Sequence, residues 1–143
     1  MNMADVLSKE QRHKCMSHIR DKNTKPEMLV RKYLFSLGFR YRINVNTLPG
    51  TPDIVLRKYN IAIFINGCFW HGHVGCKYAN LPKTNQLFWK QKIETNKKRD
   101  IEKQCQLRNL GWNIIQIWEC ELKPKSRIQT LEKLINTLNL LHR

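Results

Sequence analysis

The sequence predicts an α/β protein of the α+β kind: a mixed β-sheet flanked by helices. Three observations carry that prediction. Short apolar stretches with strand character, Asp53 to Lys58, Ile61 to Asn66 and Trp112 to Trp118, stand among longer segments with helical spacing. Taken in order, the elements read α-α-β-β-β-α-β-α, the pattern of a sheet with helices packed on it. No internal repeat, low-complexity tract or Pro/Gly/Ser-rich linker divides the 143 residues, so a single domain with a core that needs no disulfide staples is expected.

Each element has a local cause. Ser8-Lys9-Glu10-Gln11 has the form of a capping box and opens a short helix to about Ile19. Thr24-Lys25-Pro26-Glu27 is a second box. It starts a helix whose expected apolar face is Met28, Leu29, Tyr33, Leu34 and Leu37, ended by Gly38 at the C′ position. Phe39 to Asn44 alternates as a strand, and Leu48-Pro49-Gly50-Thr51-Pro52 is a turn. Asp53 to Lys58 and Ile61 to Asn66 read as paired strands joined at Tyr59-Asn60, the second buried on both faces. A Cys/His-rich loop follows. Leu87 to Leu110 is then a long basic helix with Phe88, Trp89, Ile93, Ile101 and Leu107 as its inner positions, stopped by Gly111. Trp112 to Trp118 alternates into a buried strand, and Ser126 to Leu141 is an amphipathic helix.

Lys and Arg number 26 against 11 acidic residues, a formal charge of +15. Like charges repel in the compact state, so this excess points outward, to a polyanion whose phosphates it neutralises. An anionic membrane surface and a merely solvated surface are the alternatives. The absence of a long apolar run, signal peptide or lipidation motif weakens the membrane reading. Five cysteines without a secretory signal indicate a reducing compartment, where metal ligation is the expected use.

The run Gly67-Cys68-Phe69-Trp70-His71-Gly72-His73-Val74-Gly75-Cys76 concentrates that chemistry directly after an apolar strand. Thiolates and imidazoles at this density suit tetrahedral zinc. Cys68, His73 and Cys76 supply three ligands, although His71 could replace His73 on spacing alone. Cys120, just after the strand ending at Trp118, is the fourth if that strand lies beside Ile61 to Ile65. The resulting Cys3His site would be closed and structural, folding a loop too irregular to hold itself. The plain alternative is that these cysteines are small buried hydrophobes. Cys15 and Cys105 fall on helices and are left out of the cluster.

Pro52-Asp53 at the start of a strand, followed by a turn and a second apolar strand, matches the opening of the PD-(D/E)xK nuclease core. There the aspartate binds a divalent metal, and a hard cation that keeps its waters needs few protein oxygens. The second half of the motif is missing: Phe64-Ile65-Asn66 stands where Glu-x-Lys belongs. His71, beside the aromatic pair, offers a group that takes a proton from water or positions it.

With these residues assembled, the chain resembles the very-short-patch repair (Vsr) endonucleases. These are bacterial enzymes with a restriction-endonuclease-like, PD-(D/E)xK-like fold that nick one strand at T·G mismatches left by deamination of methylated cytosine. The resemblance runs from about Val6 to Leu122. It is carried by the Met16 region, Asn23-Thr24 to Glu27, Leu48 to Asp53, and Phe64 through His71. It continues in Thr84 to Ile93, Lys98-Arg99-Asp100, Leu110-Gly111-Trp112 and Trp118-Glu119-Cys120.

The resemblance implies a single domain over residues 1–143, with an N-terminal helical arm over about 1–22, and roles for individual residues. Asp53 and the backbone carbonyl of Ile65 would bind catalytic Mg2+. His71 would be the general base or water-positioning group, which leaves His73 to structural Zn2+ with Cys68, Cys76 and Cys120. Phe69, Trp70 and Trp89 would enter the base stack from the major-groove side, and Met16 would wedge from the minor groove. Glu27 aligns with a family acidic residue near the active site, while the capping box also explains it. Asn66 stands where the family often has His; it loses any cationic phosphate contact but can still donate a hydrogen bond to DNA. The spacing Gly72-His73-Val74-Gly75-Cys76 likewise departs from a compact histidine run.

Plainer readings stand beside these. Met16 at a helical apolar position suits a core, as does Phe88-Trp89, and Trp112 and Trp118 suit packing. Of the basic series Lys90, Lys92, Lys97, Lys98, Arg99 and Lys103, some members touch phosphate and most are solvated. The expected function is a magnesium-dependent nickase acting on double-stranded DNA with a T·G mismatch. It would be a monomer in the bacterial cytoplasm, at the nucleoid, with mismatch-repair proteins as further partners. The alternatives are a nuclease of the same fold that ignores mismatches, perhaps tied to restriction–modification, and a zinc-stabilised DNA-binding module without chemistry.

Overall fold

A computed structural model of the chain describes residues 23–141. The helix expected from Ser8, the arm over 1–22, Cys15 and Met16 lie outside the described residues. Within them the helices are α1 (Lys25–Ser36), α2 (Gln86–Asn109) and α3 (Arg127–Leu141), and the strands are β1 (Arg42–Ile43), β2 (Ile54–Leu56), β3 (Ile61–Asn66) and β4 (Asn113–Trp118). The sheet order is β1-β2-β3-β4. The first two pairings are antiparallel, and β3 and β4 run parallel with Ile61 opposite Asn113 and Asn66 opposite Trp118. This is the expected mixed sheet flanked by helices. The parallel pair needs a long crossover, and α2 is that crossover.

The two central strands, β2 and β3, are buried because they are apolar on both sides. Ile54, Leu56, Ile61, Ile63, Ile65 and Ile117 form one core with Val30 and Leu34 of α1 and Leu131, Leu134 and Leu138 of α3. Val55 and Ala62 alternate to the opposite face and are equally inaccessible.

Several expectations at the element level need correction. The inner face of α1 is Glu27, Val30, Arg31 and Leu34, while Met28 and Leu37 are exposed. The helix hides an ion pair on its core side, which a reading of apolar residues alone does not find. The strand expected over Phe39 to Asn44 shrinks to Arg42–Ile43, and a 3-10 turn over Arg57–Tyr59 shortens β2. On α2 only Ile93, Asn96 and Leu107 are buried, and Phe88 and Ile101 are exposed. A long helix crossing the sheet at a narrow stripe buries few of its turns. β4 is an edge strand, with Ile117 its one fully buried residue. Among the described residues no helix is long and apolar enough to cross a membrane.

Candidate active site and metal centre

Two clusters form where β3 and β4 end side by side. The first is built on Asp53, which precedes β2. Its amide donates to the carbonyl of Ile63 at 3.1 Å, and its Oδ2 accepts the Ile65 N–H at 2.7 Å. A residue's N–H and C=O point to the same side of a strand, so the Ile65 carbonyl lies on the edge that Asp53 occupies. Burial pushes the Asp53 carboxyl up to about 7, with Glu27 adding to the rise and the Ile65 amide, His71 and Arg31 opposing it. A buried carboxylate with another beside it and a carbonyl on the same edge is an oxygen donor set that could hold a hard divalent cation.

Glu27 reaches this place from α1. Its capping box is only half formed. Thr24 Oγ1 accepts the Glu27 N–H at 3.4 Å, but Glu27 Oε2 turns to the Asn23 N–H and to Arg31 Nη2, both at 2.9 Å. The cap therefore does not account for the carboxylate.

His71 follows β3 in the loop, and its Nδ1 lies 2.6 Å from Asp100 Oδ2 of α2. With a carboxylate against Nδ1, the proton sits on that nitrogen and Nε2 is the acceptor. Asp53, Glu27, Ile65, Asn66, His71 and Asp100 line one cleft of about 1330 Å³. Arg99 and Lys103 line it as well and give it positive charge.

Beside His71 stands an aromatic cluster. Phe69 and Trp70 are 5.1 Å apart, and Trp89 lies 5.4 Å from Phe69 and 5.8 Å from Trp70, all edge-on. Phe88 adds a fourth, exposed ring 5.1 Å from Trp89. The buried Asn96 donates from Nδ2 to the Trp70 carbonyl at 2.9 Å and so pins this loop to α2. Lys90, directly after Trp89, is exposed.

The second cluster is the one the loop spacing suggested. Ligand atoms of Cys68, His73, Cys76 and Cys120 all lie within 4.8 Å of one another, close enough to hold one metal ion. Three sulfurs and one imidazole nitrogen are the donors zinc prefers. The parallel β3–β4 register delivers Cys120, whose N–H donates to Cys68 Sγ at 3.4 Å. His73 Nδ1 is 3.5 Å from Cys120 Sγ, and Trp118 stacks flat on the His73 ring at 4.0 Å. Burial raises the Cys68 thiol to about 12 in the metal-free protein, which a bound cation would reverse. The two histidines are divided, His73 to the sulfurs and His71 to Asp100.

Sequence reasoning missed Asp100, Arg31 and Asn96 as site residues. Asp100 belongs to the Lys98-Arg99-Asp100 block, but 29 residues separate it from His71 and nothing local marks the contact. Arg31 and Asn96 read as ordinary helix surface because charged and amide residues are seldom buried.

A cleft carboxylate, a histidine–aspartate pair, a basic lining and half-buried rings are parts that suit an enzyme that cleaves DNA. Residues 4–77 match the family described as DNA mismatch endonuclease Vsr. The chain is 48% identical over 124 residues to the type II nicking enzyme V.NmeAIP of Neisseria meningitidis, covering 87% of this chain and 88% of that one. It is 47% identical to the type II nicking enzyme V.XorIIP of Xanthomonas oryzae, over 89% of this chain and 93% of that one. To the DNA mismatch endonuclease Vsr of Escherichia coli it is 37% identical, over 88% and 80%. The chain belongs to the Vsr family of DNA mismatch endonucleases, the family its sequence blocks resemble.

Proposed function

We propose that this chain nicks one strand of double-stranded DNA at T·G mismatches in a magnesium-dependent reaction, and so begins very-short-patch repair of deaminated 5-methylcytosine. The observation that carries the proposal is the meeting, in one basic cleft, of Asp53 and the His71–Asp100 pair with half-buried rings adjoining them in sequence and space. Asp53 and the Ile65 carbonyl would hold Mg2+. That ion, when bound, supplies positive charge against the phosphodiester oxygens. His71, its Nδ1–H fixed by Asp100, accepts at Nε2 the proton of the attacking water. Phe69, Trp70 and Trp89 enter the base stack at the mismatch, where unstacking costs less than in paired duplex. Met16 completes the wedge from the other groove, Asn66 and Lys90 contact the DNA, and Zn2+ on Cys68, His73, Cys76 and Cys120 keeps the loop in shape.

The test is a strand-resolved nicking assay on a T·G duplex and its matched C·G counterpart in several sequence contexts, with Mg2+ and with EDTA. Magnesium-dependent cleavage of the T strand alone is expected. Asp53→Ala should abolish it and leave binding intact. Equal cutting of both duplexes would keep the nuclease and discard mismatch preference. Tight binding without cutting in any context would leave a binding module.

A further inference from the structure

Among the described residues Arg31 is the most thoroughly buried charge that the reaction does not use. Its side chain and that of Glu27 are 7% and 3% exposed, and the pair is joined at 2.9 Å across one helical turn. The guanidinium does more than neutralise. While Nη2 holds Glu27 Oε2, Nη1 donates to Asn23 Oδ1 at 2.8 Å, and the Asn23 N–H returns to the same Glu27 oxygen at 2.9 Å. Asn23 takes a left-handed backbone, φ 58°, and closes this three-residue ring. Both bonds fall on Oε2, so Oε1 is the oxygen Glu27 can offer to the cleft it lines. The ring is an expensive way to stabilise a helix. Arg31 Nε is buried with no hydrogen-bond partner among the described residues, and an apolar side chain there would avoid that cost.

We infer that Arg31 is a positioning residue for the nicking reaction, its planar fork fixing Glu27 so that one carboxylate oxygen faces the cleft beside Asp53. The inference rests on the nuclease reading above. Lysine is a poor replacement, because its ammonium is a point charge on a flexible stem and lacks the planar fork that holds Glu27 and Asn23 in fixed directions. Arg31→Lys keeps the positive charge that acts on Asp53 and removes only the fork, so the effect of this substitution on rate passes through Glu27.

The experiment is a double-mutant cycle on the full chain: wild type, Arg31→Lys, Glu27→Gln and the double variant. Turnover at saturating DNA and half-saturating DNA are measured separately, with melting temperature alongside. Arg31→Lys should lower turnover by about tenfold to a hundredfold, the range for residues that orient a site group, and leave DNA half-saturation within about twofold. In the Glu27→Gln background it should cost nothing further. Full turnover in Arg31→Lys, or the same loss in both backgrounds, overturns the inference. If Arg31→Lys does not fold, Asn23→Gly, which removes the Oδ1 acceptor for Arg31 Nη1, keeps both charges and tolerates the left-handed backbone, enters the same cycle under the same criteria. The cycle is run on whichever duplex the wild type nicks. Loss of mismatch preference would then count against the T·G reading, while the coupling still decides the role of Arg31. Failure to nick any duplex overturns both.

Discussion

Asp53 shows how one residue's surroundings set its chemistry. Its carboxyl ordinarily titrates at 3.8, and in the metal-free protein burial raises it to about 7. The sign follows directly. The folded state holds the proton more tightly than the unfolded chain, so this contribution to stability is complete below about 3.8, falls as pH rises and is lost above about 7. Asp53→Asn, which keeps an acceptor for the Ile65 amide without the charge, should therefore stabilise the metal-free protein at pH 8. The gain should be about 2 kcal/mol, less than the full shift implies because solvent reaches the cleft. At pH 4 the gain should nearly vanish. Urea unfolding at both pH values checks this, and a variant no more stable than wild type at pH 8 would sink it. Asp100 makes a second case. Asp100→Asn removes the charge that fixes the His71 tautomer, so single-turnover nicking should fall with binding intact. The fall should be smaller than the roughly 10²–10⁴-fold expected of His71→Ala. Asp53 was legible from Pro-Asp at a strand's start and His71 from its loop. Asp100 was not, since a helical aspartate among lysines looks like any solvated acid until the fold sets it against an imidazole.

At the scale of elements, the loop from Gly67 to Cys76 depends on α2 and β4 for its shape. Gly72 has φ +61°, and a Cβ there would come within 2.5 Å of Lys97 Cε and 2.6 Å of Ile93 Cγ2. Gly72→Ala should cost about 1–3 kcal/mol and weaken preference for mismatched over matched duplex, as measured by melting temperature and competition binding. Unchanged values on both counts would show that the loop adapts. Metal removal acts on the same element from its other side. A zinc chelator, or Cys120→Ser, should lower the melting temperature and increase the proteolytic sensitivity of this loop, because a metal held by the four residues would tie it to the turn that follows β4. Retention of wild-type stability after complete chelation would reduce the cluster to packing. Cys68 and Cys76 were legible as candidate ligands from spacing, while spacing left His71 and His73 interchangeable and only the family resemblance favoured His73. The fourth was legible only through the guess that two strands lie side by side, which the parallel register bears out.

For the whole molecule, charge is the dominant fact. A formal +15 over 143 residues makes affinity for DNA strongly salt-dependent. If about six phosphates are neutralised, log affinity should fall against log salt with a slope near −5, measured by fluorescence anisotropy. A slope near zero would mean that the basic residues are solvent-facing ornament and that stacking alone binds the duplex. Lys103 and Arg99 line the cleft while Lys90 and Lys97 sit nearer the metal loop, so truncating members of the first pair should affect nicking more than the second.

The sequence by itself determined the class of fold, the order of the elements among the described residues, the polyanionic partner, the loop whose spacing suits a metal and, through its ordered blocks, the family. Each of these follows from local information: hydrophobic period, capping residues, ligand spacing and net charge act over a few neighbouring residues or over the whole composition. Only the tertiary structure decided which histidine meets Asp100 and which meets the sulfurs. It also decided that α1 turns Glu27 and Arg31 inward while Met28 and Leu37 face solvent, and that Asn96 clamps the aromatic loop. These are contacts between residues distant in sequence or on competing faces of one helix. Their energies depend on what is packed opposite them, which no local pattern contains.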